Sequence, residues 1–416
     1  MKFLLLNQTF YPDVMATGQY LTEVALRLVA RGHQVTVVTS RRAYDDPGRV
    51  FPKTETWRGV CIYRVASTAF GKGAKWRRAA DFASFLMLCS LRLVLLPRHD
   101  VVVALTSPPL ISFLGAGLAR LRRSRFFYWV MDFNPDEAIA AGWLRPDSRS
   151  ARLLDRMSRF SLRQANRVIA LDRFMRDRII AKGIPPANVV VIPPWSHDTE
   201  VKFDPEGRKR FRKAHGLDGK FVVMYSGNHS PCHPLETLLG AAERLKDDKS
   251  IAFCFVGGGS EWRKIRQKLE GETRGQGTGG LEDHGPRSPS NILCLPYQPL
   301  DQLAGSLSAA DLHVVVMGEA FVGLVHPCKI YNIMAVGAPV LYIGPRPSHL
   351  SEMLDGLNHE YPCAAVAHGE VDQVVQAIER LRRDSRPTGR LTPARVRSLF
   401  SQEVLLPRLV EELESG

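Results

Sequence analysis

The 416-residue sequence predicts an α/β fold built as two domains, each around a mostly parallel sheet. Three observations predict it. Short apolar runs recur along the whole chain and are separated by helix-length segments, which is the pattern of β-α-β units. One stretch shows that unit in full: the run Leu312 to Met317, a loop holding Gly318 and Gly323, a helical segment Cys328 to Val336 stopped by Gly337, and a strand Pro339 to Ile343. The length allows two domains of ordinary size, each able to bury its own core.

Composition narrows the class. An apolar fraction of 45% with 24% charged residues belongs to a folded chain, and the net charge of +14 is arginine-heavy, with clusters at 77–78, 120–125, 152–167 and 208–213. Such a surface suits nucleic acid, anionic lipid or phosphorylated small molecules, and the absence of any DNA- or RNA-binding pattern excludes the first as an expected partner. The seven cysteines are scattered and mostly inside apolar runs, so they read as core thiols of a reducing cytoplasm. None has metal-ligand spacing, and no metal is expected. The opening Met1-Lys-Phe-Leu-Leu-Leu-Asn is too short for a signal peptide and reads as a buried first strand.

Taken in order, Lys2 to Asn7 is that strand, Tyr20 to Arg31 a helix ended by Gly32, and Gln34 to Thr39 the second strand. Phe82 to Leu96 is an apolar run preceded by Lys72, Lys75, Trp76, Arg77 and Arg78. It is too short to span a bilayer and reads either as a buried helix or as one lying in a membrane interface with basic anchors. Asp100 to Leu105 and Phe126 to Met131 are further strands, with a helix between them that runs to Arg122. Asp132 follows the second of these at a carboxyl end, where open α/β sheets bind ligands, or else caps the following helix; Asp136 reads as that helix's first-turn carboxylate. Ser150 to Asn166 is a basic helix, Arg167 to Leu171 a strand, and Val189 to Trp195 closes the first domain. The charged, apolar-poor stretch 196–219 reads as the hinge, giving a first domain at 1–200 and a second at 201–395.

The second domain opens with a strand from Lys220 to Tyr225 and the loop Ser226-Gly-Asn-His-Ser-Pro-Cys-His-Pro234. Ile251 to Val256 and Asn291 to Leu295 are its next strands; Gly257-Gly-Gly-Ser260 is a turn before a basic helix. Residues 271–290 are glycine-rich with almost no apolar content and read as a mobile insertion. Lys329, in the first turn of the helix in the central β-α-β unit, suits a diphosphate, together with backbone N–H groups of Gly323 to Lys329. The amphipathic segment Phe400 to Glu414 lies in the C-terminal stretch 396–416.

Several of these motifs resemble the retaining glycosyltransferases of family 4, in particular bacterial polysaccharide- and lipopolysaccharide-assembly members. Asn332-Ile-Met-Ala-Val-Gly-Ala-Pro-Val340 matches the second half of their donor-binding signature, and Pro327-Cys-Lys-Ile-Tyr-Asn332 fits a subset of them. Arg31-Gly-His-x-Val-Thr-Val37, Asp132-Phe-Asn-Pro-Asp-Glu-Ala-Ile-Ala-Ala-Gly142, Ser226-Gly-Asn-His229 and Ala310-Asp311 resemble the same proteins. The chain departs from the pattern where the signature's two glutamates fall on Leu324 and Asn332, and where a basic pair on the donor loop is replaced by His229 and His233.

The resemblance implies the GT-B fold, two Rossmann-like domains facing a central cleft, with the C-terminal helix crossing back onto the first. It implies transfer of a sugar from a nucleotide-sugar donor to a glycan or polyprenyl-linked acceptor, with retention and without a metal or other cofactor. Lys329, Asp132 and Glu319 are then the catalytic candidates. Gly18, Gly227, Asn228, His229, His233, Gly323, Tyr331 and Asn332 are the donor- and nucleotide-binding ones. Gly18 either faces the donor phosphates or closes a tight turn. His229 and His233 contact phosphate or sugar, or serve as caps or surface residues. The expected location is the cytoplasm or the inner face of its membrane, in contact with anionic lipid. Two other readings stay open: a non-catalytic scaffold descended from such an enzyme, and another enzyme on the same scaffold such as a nucleotide-sugar epimerase or phosphorylase.

Overall fold

The structure is a computed structural model describing residues 1–416 except 14, 45, 47, 69, 71–74, 199, 275–290, 358–359 and 385–393. Lys72 and the greater part of the glycine-rich stretch 271–290 therefore lie outside the described residues. The chain divides into two compact units, residues 1–194, 323–326 and 403–416 in the first and 195–322 with 327–402 in the second.

Unit 1 is formed by β1 (Lys2–Leu6), α1 (Ala16–Ala30), β2 (Gln34–Ser40), β3 (Thr54–Trp57), β4 (Val60–Val65), α2 (Lys75–Leu95), β5 (Val101–Ala104), α3 (Ile111–Arg122), β6 (Arg125–Trp129), α4 (Asp136–Ala140), α5 (Arg149–Gln164), β7 (Arg167–Ala170), α6 (Arg173–Ala181) and β8 (Val189–Val191). Its sheet runs β3-β4-β2-β1-β5-β6-β7-β8, parallel except for the β3–β4 pair. Consecutive apolar residues in β1 and β5 are all buried, because helices cover both faces of a parallel sheet and leave no solvent side for alternation. The β3–β4 hairpin escapes the sequence reading: its strands carry Thr, Glu, Arg and Tyr, and its turn is marked only by Arg58-Gly59, both at positive φ.

Unit 2 contains α7 (Pro205–Ala214), β9 (Phe221–Asn228), α8 (Glu236–Arg244), β10 (Ile251–Gly258), α9 (Ser260–Arg274), β11 (Ile292–Leu295), α10 (Leu303–Ser308), β12 (Leu312–Val316), α11 (Lys329–Ala335), β13 (Val340–Ile343), α12 (His349–Leu357), β14 (Cys363–Val366), α13 (Val371–Arg383) and α14 (Ala394–Phe400). Its parallel sheet runs β11-β10-β9-β12-β13-β14, and strand order reverses between β9 and β12. One face is buried by Leu238, Ala241, Ile378 and Leu381 of α8 and α13. The other carries Val222, Met224, Cys254 and Val256 against Phe211.

The charged stretch expected to be a hinge lies in unit 2 and holds the helix α7. Asp204 caps α7 by accepting from Gly207 N at 2.8 Å, and Arg208 and Arg212 both pair with Asp311, at 2.5 and 3.0 Å. The carboxylate of Asp311 also accepts from Val222 N at 2.8 Å, so this residue ties α7 to the start of the sheet. A last helix, α15 (Gln402–Ser415), has residues 403–416 within unit 1, held by ion pairs of Glu414 with Arg31 at 2.7 Å and of Glu412 with Arg167 at 3.0 Å. None of the seven cysteines is in a disulfide.

Candidate active site

In open α/β sheets ligands bind at the carboxyl ends of strands where the order reverses, and in unit 2 that point lies between β9 and β12. The strand β9 runs three residues past Tyr225, so Gly227 and Asn228 are not loop but strand end, in register with Gly257 and Gly258 of β10. Gly227 and Gly257 have φ of +129° and +138°, and a Cβ on Gly257 would lie 2.0 Å from the Gly227 carbonyl oxygen. A Cβ on Gly259 would lie 2.3 Å from the His229 carbonyl oxygen. Only glycines let these two strand ends run so close together.

Lys329 begins α11 and its side chain reaches β9. A Cβ on Gly227 would meet Lys329 Cε and Nζ at 3.2 Å, so the glycine leaves the space the lysine occupies. The ammonium lies 3.6 Å from the centroid of the buried Tyr225 ring, itself buried and without a hydrogen-bond partner. Burial brings the Lys329 pKa from an ordinary 10.5 down to about 7, since an unsolvated ammonium loses more than an amine.

His229 is fully buried against Tyr225, ring centroids 4.6 Å apart. Its Nδ1 is 2.9 Å from the Gly227 carbonyl oxygen, and a carbonyl only accepts, so Nδ1 carries the proton. Burial, then the charge of Lys329, push this histidine down to about 3; it is neutral, with Nε2 a buried acceptor lacking a partner. His233 repeats the arrangement with Nδ1 2.7 Å from the Val316 carbonyl oxygen and a pKa pushed down to about 3 by burial and then by Lys329. Of the two contacts expected of these histidines, phosphate or sugar, the geometry favours the sugar. With the Nδ1 protons spent on the backbone, each offers a lone pair, which suits a hydroxyl and not a phosphate oxygen. The loop carrying them is fixed to the end of β12 by Gly318 N, which donates to Cys232 O at 2.9 Å.

The other unit 2 candidates stand apart from this cluster in kind. Glu319 is exposed on a single 3₁₀ turn, Glu319–Phe321. Tyr331 is buried with its ring centroid 5.4 Å from that of Phe400. Asn332 uses its amide oxygen to accept from His197 N at 3.0 Å, which fixes the segment entering unit 2 and leaves the NH₂ for other work.

In unit 1, Gly18 sits in the first turn of α1 with its Cα facing the loop after β1; a Cβ there would lie 3.1 Å from Thr9 C and 3.2 Å from Phe10 N. Close packing accounts for this glycine. Asp132 follows β6, its backbone N–H 3.3 Å from Thr106 Oγ1, and burial pushes its carboxyl up to about 6. It does not cap α4, whose N-cap is Pro135 with no side-chain bond. Gly323, at φ +71°, would place a Cβ 2.7 Å from Phe174 C and O. Leu324 O accepts from Phe133 N at 2.8 Å, and His326 Nδ1 lies 2.9 Å from Asp172 Oδ2. Residues 323–326 are thus built into unit 1, whereas Lys329 belongs to unit 2.

Around Tyr225 the structure therefore gathers Gly227, Asn228, His229, His233 and Lys329. Sequence reasoning missed Tyr225, Gly257 and Gly259; the available signal was a second glycine cluster at the carboxyl end of the strand that follows Ser226-Gly-Asn228. Residues 16–195 match the family described as glycosyl transferase 4-like domain. The colanic acid biosynthesis protein of Escherichia coli (strain K12) named as the glycosyl transferase WcaI is 25% identical over 368 residues, covering 85% of this chain and 86% of its own. Among solved structures, the sucrose-phosphate synthase of Thermosynechococcus elongatus superposes with a TM-score of 0.73 at 15% identity, over 100% of this chain and 98% of that one. Anabaena HepE, solved in complex with UDP and glucose, superposes with a TM-score of 0.69 at 16% identity over 100% of both chains. The two structural likenesses show the GT-B fold for the chain, and the family match places residues 16–195 in the glycosyl transferase 4-like domain family, to which the rest of the chain is joined in a protein similar to a glycosyl transferase along most of its length.

Proposed function

We propose that this glycosyltransferase moves a sugar from a nucleotide-sugar donor to a glycan or polyprenyl-linked acceptor in cell-surface polysaccharide or lipopolysaccharide assembly, with retention and without a metal, in the cytoplasm at the inner face of the membrane. The naming of WcaI for colanic acid biosynthesis and the UDP and glucose bound to HepE support the acceptor class and the donor class. The observation that carries the reading is the buried, unpartnered ammonium of Lys329 at the ligand-binding end of the unit 2 sheet. A cation held without a counter-ion in a dry site is preorganised for an anion, and charge grows on the diphosphate as the sugar leaves.

In this reading Lys329 neutralises the leaving diphosphate, with backbone donors from Gly227 and Asn228. The Nε2 atoms of His229 and His233 accept from donor hydroxyls, as does the carboxylate of Glu319. The Asn332 NH₂ and Tyr331 serve the nucleoside, Gly18 and Gly323 allow close backbone approach, and Asp132, ionised at pH 7, accepts from the acceptor hydroxyl. The test is a thermal-shift panel of UDP, GDP, ADP, dTDP and CMP with their common sugars, with and without magnesium. One nucleotide stabilises the protein selectively and to the same degree in both series. No shift with any nucleotide at millimolar concentration refutes the donor assignment, and a shift seen only with magnesium refutes metal independence.

A further inference from the structure

The loops that follow β5 and β6 leave a cavity of about 100 Å³ in unit 1, between the start of α3, the helix α4 and the first half of α5. Leu110, Pro135, Ala138 and Leu154 form its apolar wall. Thr106, Ser112 and Ser158, all buried, bring hydroxyls to the same space. Close-packed interiors leave few voids of this size, and an apolar wall with a few placed polar groups is the lining of a ligand subsite. Leu110 adds an independent sign. Its backbone sits at φ +77°, in the left-handed region that a leucine avoids, and strain of this kind persists where a site requires it.

The bonds already made decide what two of the hydroxyls have left to offer. Thr106 Oγ1 accepts from Asp132 N at 3.3 Å, so its proton remains to be donated. Ser158 Oγ donates to the Asn134 carbonyl oxygen at 3.1 Å, so its lone pairs remain to accept. One donor and one acceptor beside an apolar wall match a secondary amide that ends in a methyl group. A hydrocarbon unit would leave both hydroxyls without a partner, and a sugar hydroxyl would leave the wall uncovered. Thr106 also joins the cavity to Asp132, the residue assigned above to the acceptor hydroxyl.

We propose, on the transferase reading above, that this cavity seats the acetamido group of an N-acetylated acceptor sugar. The amide carbonyl takes the Thr106 proton, the amide N–H is received by Ser158, and the methyl lies against Leu110, Ala138 and Leu154. The cavity is then the element that selects an N-acetylated acceptor over its plain hydroxyl counterpart.

The test is saturation-transfer NMR on the full chain with millimolar methyl N-acetyl-β-glucosaminide, methyl β-glucoside, and methyl α-fucoside, which carries a C-methyl but no amide. The acetylated probe binds at least about tenfold more tightly than the other two, and its acetyl methyl receives more saturation than its ring protons. Ala138→Leu and Leu154→Phe, at half-buried positions in α4 and α5, fill the cavity; melting curves verify the fold. Each weakens the acetylated probe by about tenfold and leaves nucleotide stabilisation at its wild-type value. The proposal is overturned if the three probes bind alike or not at all, if the fucoside is preferred, if the acetyl methyl is saturated no more than the ring, or if either filled variant binds the acetylated probe as the wild type does. The two readings fail separately. Nucleotide stabilisation without a preference for the acetylated probe removes only the cavity assignment, whereas that preference without nucleotide stabilisation removes the donor reading and leaves the sugar site standing.

Discussion

Replacing Lys329 by methionine keeps the unbranched stem over Tyr225 and removes the ammonium. A fall of the lysine's pKa from 10.5 to about 7 corresponds to about 5 kcal/mol against the charged form. The Tyr225 ring at 3.6 Å favours the charged form as a cation–π contact, so about 5 kcal/mol is an upper bound on the cost. The sign follows from proton counts. Below pH 7 both states hold the proton and the folded state bears the whole cost. Between about 7 and 10.5 the unfolded chain binds more protons, so wild-type stability rises with pH, and the cost is gone above 10.5. Lys329→Met is therefore more stable than the wild type at pH 6, by about 5–10 °C in melting temperature for a unit of this size, and the gap closes towards pH 10. The same variant loses nucleotide-diphosphate stabilisation and turnover. Urea and thermal unfolding at pH 6, 8 and 10 measure it. A variant that melts at or below the wild-type temperature at pH 6, or a gap independent of pH, refutes the claim that Lys329 sits as an uncompensated cation.

Three further outcomes follow from the geometry. A diphosphate requires the charged lysine, so its affinity for the protein falls as pH rises above about 7, and calorimetry in buffers of differing ionisation enthalpy records proton uptake there; His229 and His233, near 3, add no break between pH 5 and 8. The kcat/KM profile rises through about pH 6 as Asp132 ionises, and Asp132→Asn removes that limb, whereas an unchanged limb would exclude Asp132 from the reaction. Gly257→Ala places a methyl 2.0 Å from Gly227 O at a φ of +138° and costs more than about 2 kcal/mol, measured by urea unfolding; a neutral result means that the β9 and β10 ends separate easily.

The sequence carries the α/β class, the order of most strands and helices, and the stretch that positions Lys329 in its local patterns. Those features depend on local patterns: Val- and Ile-rich runs buried on both faces, glycines that end helices, a helix opening after a strand. It also pointed to Gly227, Asn228, His229 and His233, since the residues after a strand's carboxyl end are chemically distinctive whatever surrounds them. Tertiary structure decided what those residues can do. The histidines became acceptors because the carbonyls of Gly227 and Val316 took their Nδ1 protons, the first from two residues away along the chain and the second across the sheet from the end of β12. Lys329 became a titratable group near neutrality because Tyr225 and the missing Cβ of Gly227 built a dry slot around it, from residues about a hundred positions away. The assignment of Gly323 to His326 to unit 1, the pinning of Asn332 by His197, and the conversion of the charged 205–214 stretch into a helix held by Asp311 depend likewise on long-range contacts. The exposed stripe of α2, from Met87 to Leu95, has the same origin: the run Phe82 to Leu96 is apolar on more than one face, and only packing decides which of them is left outside.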